Sequence, residues 1–256
     1  MSRNRTAMID ILWTGGWDST FRVLDLLARH EEMIQPHYVR DRDRRSWEIE
    51  EETIEAIRGR ANRRFGDRIL LPKRREKSDI EVPEQVKAWF RPLNRQFRLG
   101  SQYMWLSQYS MSETGGRLEL CVHVDDKAHK AISWAQRNRH NKDATELVEA
   151  VDGLLLSRFQ FPILDASKIG MQRAAKEAGF DDLLERTWFC NQPTRDGRPC
   201  GFCGPCTWTL EEGLGYRIPA DRRFRSNLYR RIGRHLPSWR LRQAFLRRVR
   251  GQDEVR

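Results

Sequence analysis

The run Met8-Ile-Asp-Ile-Leu-Trp13 has the length and bulk of a buried strand, and Thr14-Gly15-Gly16 ends it abruptly. Asp18-Ser19-Thr20 then opens an amphipathic stretch through Leu24, Leu27 and Ala28. A strand, a tight glycine turn and a helix in direct succession begin an α/β domain. The alternation continues downstream. His37-Tyr38-Val39 reads as a second strand, and Ser46 to Phe65 as a helix with Ser46 as its N-cap and Trp47, Ile54, Ile57 and Ala61 on the apolar period. Arg68 to Pro72 is the third strand expected, Pro83 to Phe97 is irregular or helical, and Tyr103 to Met111 is an aromatic-rich buried helix. Leu118 to Val124 is the best-patterned later strand, Pro162 to Asp165 reads as a strand edge, and Ser167 to Ala178 as a helix stopped by Gly179. The expectation is an α/β fold with a doubly wound, mostly parallel sheet.

At 256 residues the chain is long enough for one or two domains at about 150 residues each. Hydrophobic residues make up 39%, with nine Trp, which supports a packed core and excludes a disordered chain. No apolar run approaches the roughly 18 residues of a membrane span, and the amino end is too polar for a secretory leader, so a soluble cytoplasmic protein is expected. The net charge is +11, but +10 of it lies in Arg217–Arg256, where 13 Arg face three acids, leaving +1 for residues 1–216. The excess therefore belongs to a C-terminal tail rather than to the body. Within that tail Leu228, Ile232 and Leu236, then Leu241, Phe245 and Val249, recur near helical spacing, and Pro237 divides them into two short helices. Two readings stay open: an Arg-rich face laid on phosphates or anionic lipid, or an apolar stripe packed on the body with the arginines in water.

Glycines at 15 and 16 let the backbone turn tightly and approach an anion, and the free amides that start the next helix favour phosphate. The hydroxyls of Thr14, Ser19 and Thr20 add donors. A Walker loop is excluded because no Lys follows the glycines; the dinucleotide fingerprint is excluded because Ser19 stands where its third glycine belongs. The alternative to an anion site is an ordinary strand–helix turn.

Four of the five cysteines, Cys190, Cys200, Cys203 and Cys206, fall within seventeen residues in the spacing C-x9-C-x2-C-x2-C. In a reducing compartment such a cluster reads as a metal site rather than as disulfides. Four thiolates close a tetrahedral Zn2+ completely, so the site would be structural; an iron–sulfur cluster is the rival. Cys121, within the 118–124 strand, reads as a buried apolar residue.

Trp13-Thr14-Gly15-Gly16-Trp17-Asp18-Ser19 resembles the PP-loop of the ATP pyrophosphatase superfamily, with Thr14 in place of the usual first Ser. Together with the cysteine cluster the chain resembles the 7-cyano-7-deazaguanine synthase family of queuosine biosynthesis. The C-terminal match comprises Pro162-Ile-Leu with Lys168, Thr187-Trp-Phe-Cys190, Cys200-Gly-Phe-Cys203-Gly-Pro-Cys206 and Gly213-Leu214. The resemblance implies a Rossmann-like fold of the adenine nucleotide alpha hydrolase type: an ATP-binding domain over residues 1–180, a zinc-binding module over 181–216 packed on it, and an Arg-rich helical tail over 217–256. It implies an ATP-dependent ligase that adenylates the carboxylate of a deazapurine so that ammonia displaces AMP on the way to a nitrile. Trp13, Thr14, Gly15, Gly16, Asp18, Ser19, Thr20 and Val39 would bind ATP, with Asp18 near Mg2+, an oxygen-seeking cation. Asp18, Ser19 and Lys168 would carry the chemistry, although Lys168 reads equally as a solvated helix-start lysine.

The middle of the chain departs from the family. Val39-Arg40-Asp41-Arg42-Asp43-Arg44 replaces an Asp-Tyr-Gly-Gln-Arg-His motif, and a Val-Pro-X-Arg-Asn motif is not recognisable near Arg98–Tyr103. Those segments help form the base pocket, so the ATP chemistry carries over and the substrate stays open. A divergent paralogue that modifies a protein or nucleic acid docked on the tail, in antiphage defence by analogy, is one alternative; a non-catalytic nucleotide-sensing scaffold is another. A homodimer is compatible with the sequence, which leaves the oligomeric state open. His123, Asp125, Asp126 and His129 cluster at a strand end, where α/β sites lie, and read either as an Mg2+ or proton-transfer group or as a polar loop. Tyr103, Trp105 and Tyr109 read as core rather than as a base-stacking platform.

Overall fold

A computed structural model describes residues 7–250. In chain order the elements are β1 (Met8–Leu12), α1 (Trp17–Arg29), β2 (Met33–Arg40), α2 (Trp47–Phe65), β3 (Lys73–Glu76), α3 (Glu84–Phe97), α4 (Gln102–Thr114), β4 (Leu118–Glu119), α5 (Lys127–Asn138), α6 (Thr145–Val151), β5 (Phe159–Gln160), α7 (Lys168–Glu177), α8 (Asp181–Leu184), α9 (Gly204–Glu211), α10 (Ala220–Arg231) and α11 (Trp239–Arg250). The strands form one parallel sheet in the order β3-β2-β1-β4-β5. The chain steps outward from β1 to β3 and then crosses to β4 on the other side, so the order reverses between β1 and β4. In open α/β sheets ligands bind in the crevice that such a reversal opens at the strands' carboxyl ends.

Two compact units result. Among the described residues, one contains 7–41 together with Thr53–Thr187; the other contains Arg42–Glu52 together with 188–250. The four-cysteine segment, α10 and α11 fall in the same unit. Among the described residues no helix is long and apolar enough to cross a membrane.

The sheet unit follows its apolar periods. In α1, Trp17, Phe21, Leu24 and Leu27 recur at three- and four-residue steps and are all buried. In α2, Ile54, Ile57 and Ala61 do the same. Ser46 precedes α2, and its hydroxyl donates to the Glu50 carboxylate at 2.7 Å. The region 83–97 proves helical, with Pro92 inside it, and Arg98 ends it in the left-handed conformation at φ 52°. Tyr103 and Tyr109, both on α4, are buried in the core, and Trp105 packs against that core.

Three strand expectations require correction. The third strand is not 68–72: Ile69 makes a single parallel bridge to Ile34, and the ladder with β2 runs along Lys73-Arg-Arg-Glu76. That is an exposed edge strand, so its side chains are polar and carry no apolar pattern. In 118–124 only Leu118 and Glu119 form a ladder, with the Leu120 amide donating to the Gln160 carbonyl just past it; Leu120 and Val122 continue the apolar alternation as buried residues outside the strand. Residues 162–165 form a turn, and the last strand lies just before them, at Phe159–Gln160. β2 also starts earlier than expected, running through Pro36, with the Gln35 side-chain amide donating to the carbonyls of Pro36 and Leu71 at 3.0 and 2.9 Å.

An ion pair ties α1 to β4. Arg22 donates through Nε and Nη2 to the two carboxylate oxygens of Glu119, each at 2.9 Å, and the Glu119 side chain is only 8% exposed. Removing one partner of such a bidentate, mostly buried pair strands the other charge. Glu119→Ala is expected to cost about 3 kcal/mol, measured as a lowered urea midpoint; an unchanged midpoint would show that solvent already screens the pair.

Candidate functional site

The glycine turn lies at the carboxyl end of the central strand. Gly15 has φ +71°, a left-handed conformation that side chains with a Cβ rarely adopt. Gly16 is the extended N-cap of α1 and offers no side chain to its amides. The first turn of α1 therefore begins without a side-chain cap, and its N–H groups and positive dipole end are what an anion requires. Trp13 and Thr20 are fully buried, and the Trp13 indole N–H donates to Thr20 Oγ1 at 2.8 Å, clamping the two ends of the turn together. Their side chains hold the turn rather than project from it. Ser19 is 8% exposed and Thr14 half-buried; Val39 is buried near the carboxyl end of the neighbouring β2.

Asp18, in the first turn of α1, and Lys168, the first residue of α7, are 150 residues apart in the chain, yet Lys168 Nζ stands 3.4 Å from the Asp18 carboxylate. Both side chains are mostly buried. Ser167 caps α7 by accepting from the Gly170 amide at 3.1 Å, which fixes where Lys168 begins its helix.

After β4 the chain adds His123, Asp125 and Asp126. His123 is buried; its Nε2 lies 3.9 Å from Asp18 and 3.7 Å from Asp126. The Asp125 amide donates to His123 Nδ1 at 3.3 Å, so in the neutral ring the proton is on Nε2, facing the two carboxylates. Burial holds the Asp126 carboxyl above its usual range; repulsion from Asp18 adds to this, while His123 and Lys168 oppose it. Thus Asp18, His123, Asp126 and Lys168 meet at the β1–β4 reversal. His129 turns instead within α5, its Nε2 3.3 Å from the Ser133 hydroxyl.

Sequence reasoning missed a second polar chain beside the turn. His37, in β2, is fully buried between Asp10 Oδ1, 2.7 Å from Nε2, and the Tyr109 hydroxyl, 2.8 Å from Nδ1. A carboxylate only accepts, so Nε2 carries the proton and Nδ1 accepts from Tyr109. The three residues are too far apart in sequence to form a motif; a histidine inside an otherwise apolar strand was the available signal. Burial lowers the His37 pKa from its ordinary 6.5, partly offset by Asp10. The native state thus refuses a proton that the unfolded chain accepts below about pH 6.5, so stability falls as the pH drops through that value. Acidification from about pH 7.5 to about pH 5.5 should lower the melting temperature of the native protein more than that of His37→Gln. Equal losses would assign the effect to other groups.

In the second unit, Cys190, Cys200, Cys203 and Cys206 are buried, and their sulfurs all lie within 4.8 Å of one another. Cys190 and Cys203 sulfurs are 3.8 Å apart, and those of Cys200 and Cys206 3.9 Å, far beyond a disulfide. A tetrahedron with Zn–S bonds of about 2.3 Å has edges of about 3.8 Å. The backbone amide of Cys200 donates to the Cys190 sulfur, and those of Phe202 and Cys203 to the Cys200 sulfur, as electron-rich thiolates favour. Gly201 makes the tight loop feasible: its φ is +81°, and a Cβ there would stand 3.0 Å from the Arg222 carbonyl oxygen. The cluster therefore fits a metal ion held by four sulfurs. A scan against protein-family models found no match to this chain, and neither did a search of curated proteins.

Proposed function

We propose that this protein is an ATP-dependent ligase of the PP-loop type, activating a carboxylate by adenylation for attack by ammonia or another amine. One observation carries the reading: Lys168 stands against Asp18 beside an uncapped helix start, at the point where the strand order reverses. An ordinary strand–helix turn has no need of a mostly buried lysine brought from 150 residues away.

In this reading the amides after Gly15 and Gly16, with the Ser19 hydroxyl, hold the triphosphate. Asp18 is the carboxylate that would hold Mg2+, which supplies positive charge against the departing pyrophosphate. The substrate carboxylate attacks the α-phosphorus, the bond to pyrophosphate breaks, and the Lys168 ammonium neutralises charge in the transition state. The amine then attacks the acyl carbon, AMP leaves, and one proton is lost. Trp13, Thr20 and the buried Asp10–His37–Tyr109 chain keep the turn rigid. In the second unit the four thiolates would hold zinc, closed and structural. A cluster of several irons would hold its thiolates further apart than these sulfurs stand.

The test is incubation of the purified protein with Mg-ATP, ammonium and 7-carboxy-7-deazaguanine, followed by chromatography of nucleotides and product mass. AMP and an amide or nitrile product are expected. Calorimetry that registers no Mg-ATP binding, together with no AMP from any carboxylate offered, would end the reading. AMP with a different carboxylate would keep the chemistry and change the substrate.

A further inference from the structure

Residues 217–256 hold 13 of the chain's arginines and only three acids. One of those acids, Asp221, is engaged locally, 3.8 Å from Arg198 and 3.7 Å from the Arg222 guanidinium. Four arginines of α10 and α11, namely Arg225, Arg231, Arg240 and Arg248, are exposed, and none has a carboxylate partner among the described residues. Large rings stand in the same water: Phe224 and Trp239 are each 70% exposed, beside Arg225 and Arg240. Exposed rings cost free energy in contact with water, and +10 of charge exceeds what solubility requires.

The interior of this helix pair is already occupied. Tyr229 and Phe245 stack at 6.4 Å with an interplanar angle of 20°, and Val249 is buried. Gly233 closes the connection so tightly that a Cβ would stand 2.4 Å from the Tyr229 ring. Phe245 and Val249 of α11 are therefore turned into the pair, and what faces solvent is arginine interleaved with the rings of Phe224 and Trp239 and with the half-exposed Ile232 and Leu241. Arginine neutralises phosphates and stacks, and an exposed ring takes up the face of an unpaired base; paired bases in a duplex offer no such face. We propose that α10 and α11 form a docking surface for single-stranded nucleic acid, with Phe224 and Trp239 stacking on bases and Arg225, Arg231, Arg240 and Arg248 on phosphates. This surface is independent of the ligase reading.

The experiment is fluorescence anisotropy of the full-length protein with labelled mixed-sequence single strands, in parallel ribose and deoxyribose arms, and with the matching duplex. Binding should be tighter to single strands than to duplex. The affinity should fall with salt at a log–log slope of about −3, from about 0.7 per phosphate contact over four arginines. Phe224→Ala with Trp239→Ala should weaken single-strand binding at least about tenfold, at an unchanged melting temperature because both rings are exposed. Arg225→Gln with Arg240→Gln should flatten the slope by about 1.4. The proposal is overturned if duplex binds as tightly as single strands, if the ring variant binds like the native protein, or if phosphatidylserine vesicles capture the protein while no oligonucleotide does. The ribose and deoxyribose arms decide which strand chemistry is the partner.

Discussion

With zinc held by the four cysteines, as proposed, its removal is expected to unfold the segment from Trp188 through α11. The apolar core around the cysteines is small: the four cysteines themselves and Ile218 are buried, with Trp188, Phe189, Phe202 and Leu210 only partly buried against them, and beyond it the segment buries only Leu214 and Val249 among its described apolar side chains. So little apolar surface does not offset the conformational entropy of ordering this much chain. A structural Zn2+ supplies on the order of 10 kcal/mol of apparent binding free energy, all of which is folding free energy when the unfolded chain holds no preformed site. Chelation should therefore release one metal ion per chain, remove the helical circular dichroism of α9, α10 and α11, and open this segment to protease. Cys206→Ser should do the same without chelator, because three thiolates leave the tetrahedron open. Retained helicity and protease resistance in metal-free protein, or no metal by elemental analysis, would show that side-chain packing alone suffices.

The second large effect concerns Asp18 and Lys168, and it depends on the ligase activity. Asp18→Ala and Lys168→Ala are each expected to lower the rate of AMP formation by about 10²-fold or more, the usual loss when one electrostatic partner of a transition state is removed. Lys168→Ala should act mainly on kcat, since the charge it neutralises is greatest in the transition state. Asp18→Ala should also weaken Mg-ATP binding, which calorimetry reads directly. Lys168→Arg is not expected to restore the rate, because a planar guanidinium cannot occupy the point position of an ammonium 3.4 Å from Asp18. If both alanine variants kept native rates, the pair would be a structural ion pair between α1 and α7.

Locally encoded features were legible in the chain. The glycine turn is visible because φ +71° at Gly15 demands that residue type, and α1 because its apolar residues recur at helical steps. The two tail helices were legible as two, but α10 already ends at Arg231 and a short 3-10 turn at Gly233–His235 precedes Pro237, so the stripe of Leu228, Ile232 and Leu236 is not one helix. The edge strand β3 was not legible: Lys73-Arg-Arg-Glu76 is exposed and has no apolar alternation, and only the ladder to β2 makes it a strand. Leu118 to Val124 misled in the opposite sense, since Leu120 and Val122 are buried apolar residues that lie outside the ladder.

By itself, then, the sequence determined the parallel α/β alternation, the tight turn after the first strand, the four sulfurs and the cationic tail, because each arises from residues close in the chain. Only the tertiary structure decided that Lys168 stands against Asp18, that Arg22 pairs with Glu119, and that His37 lies sealed between Asp10 and Tyr109. Those contacts join residues 27 to 150 positions apart. The physical reason is that strand order, not local propensity, sets which loops share the carboxyl edge of a sheet. The order β3-β2-β1-β4-β5 brings the loops after β1 and β4 side by side.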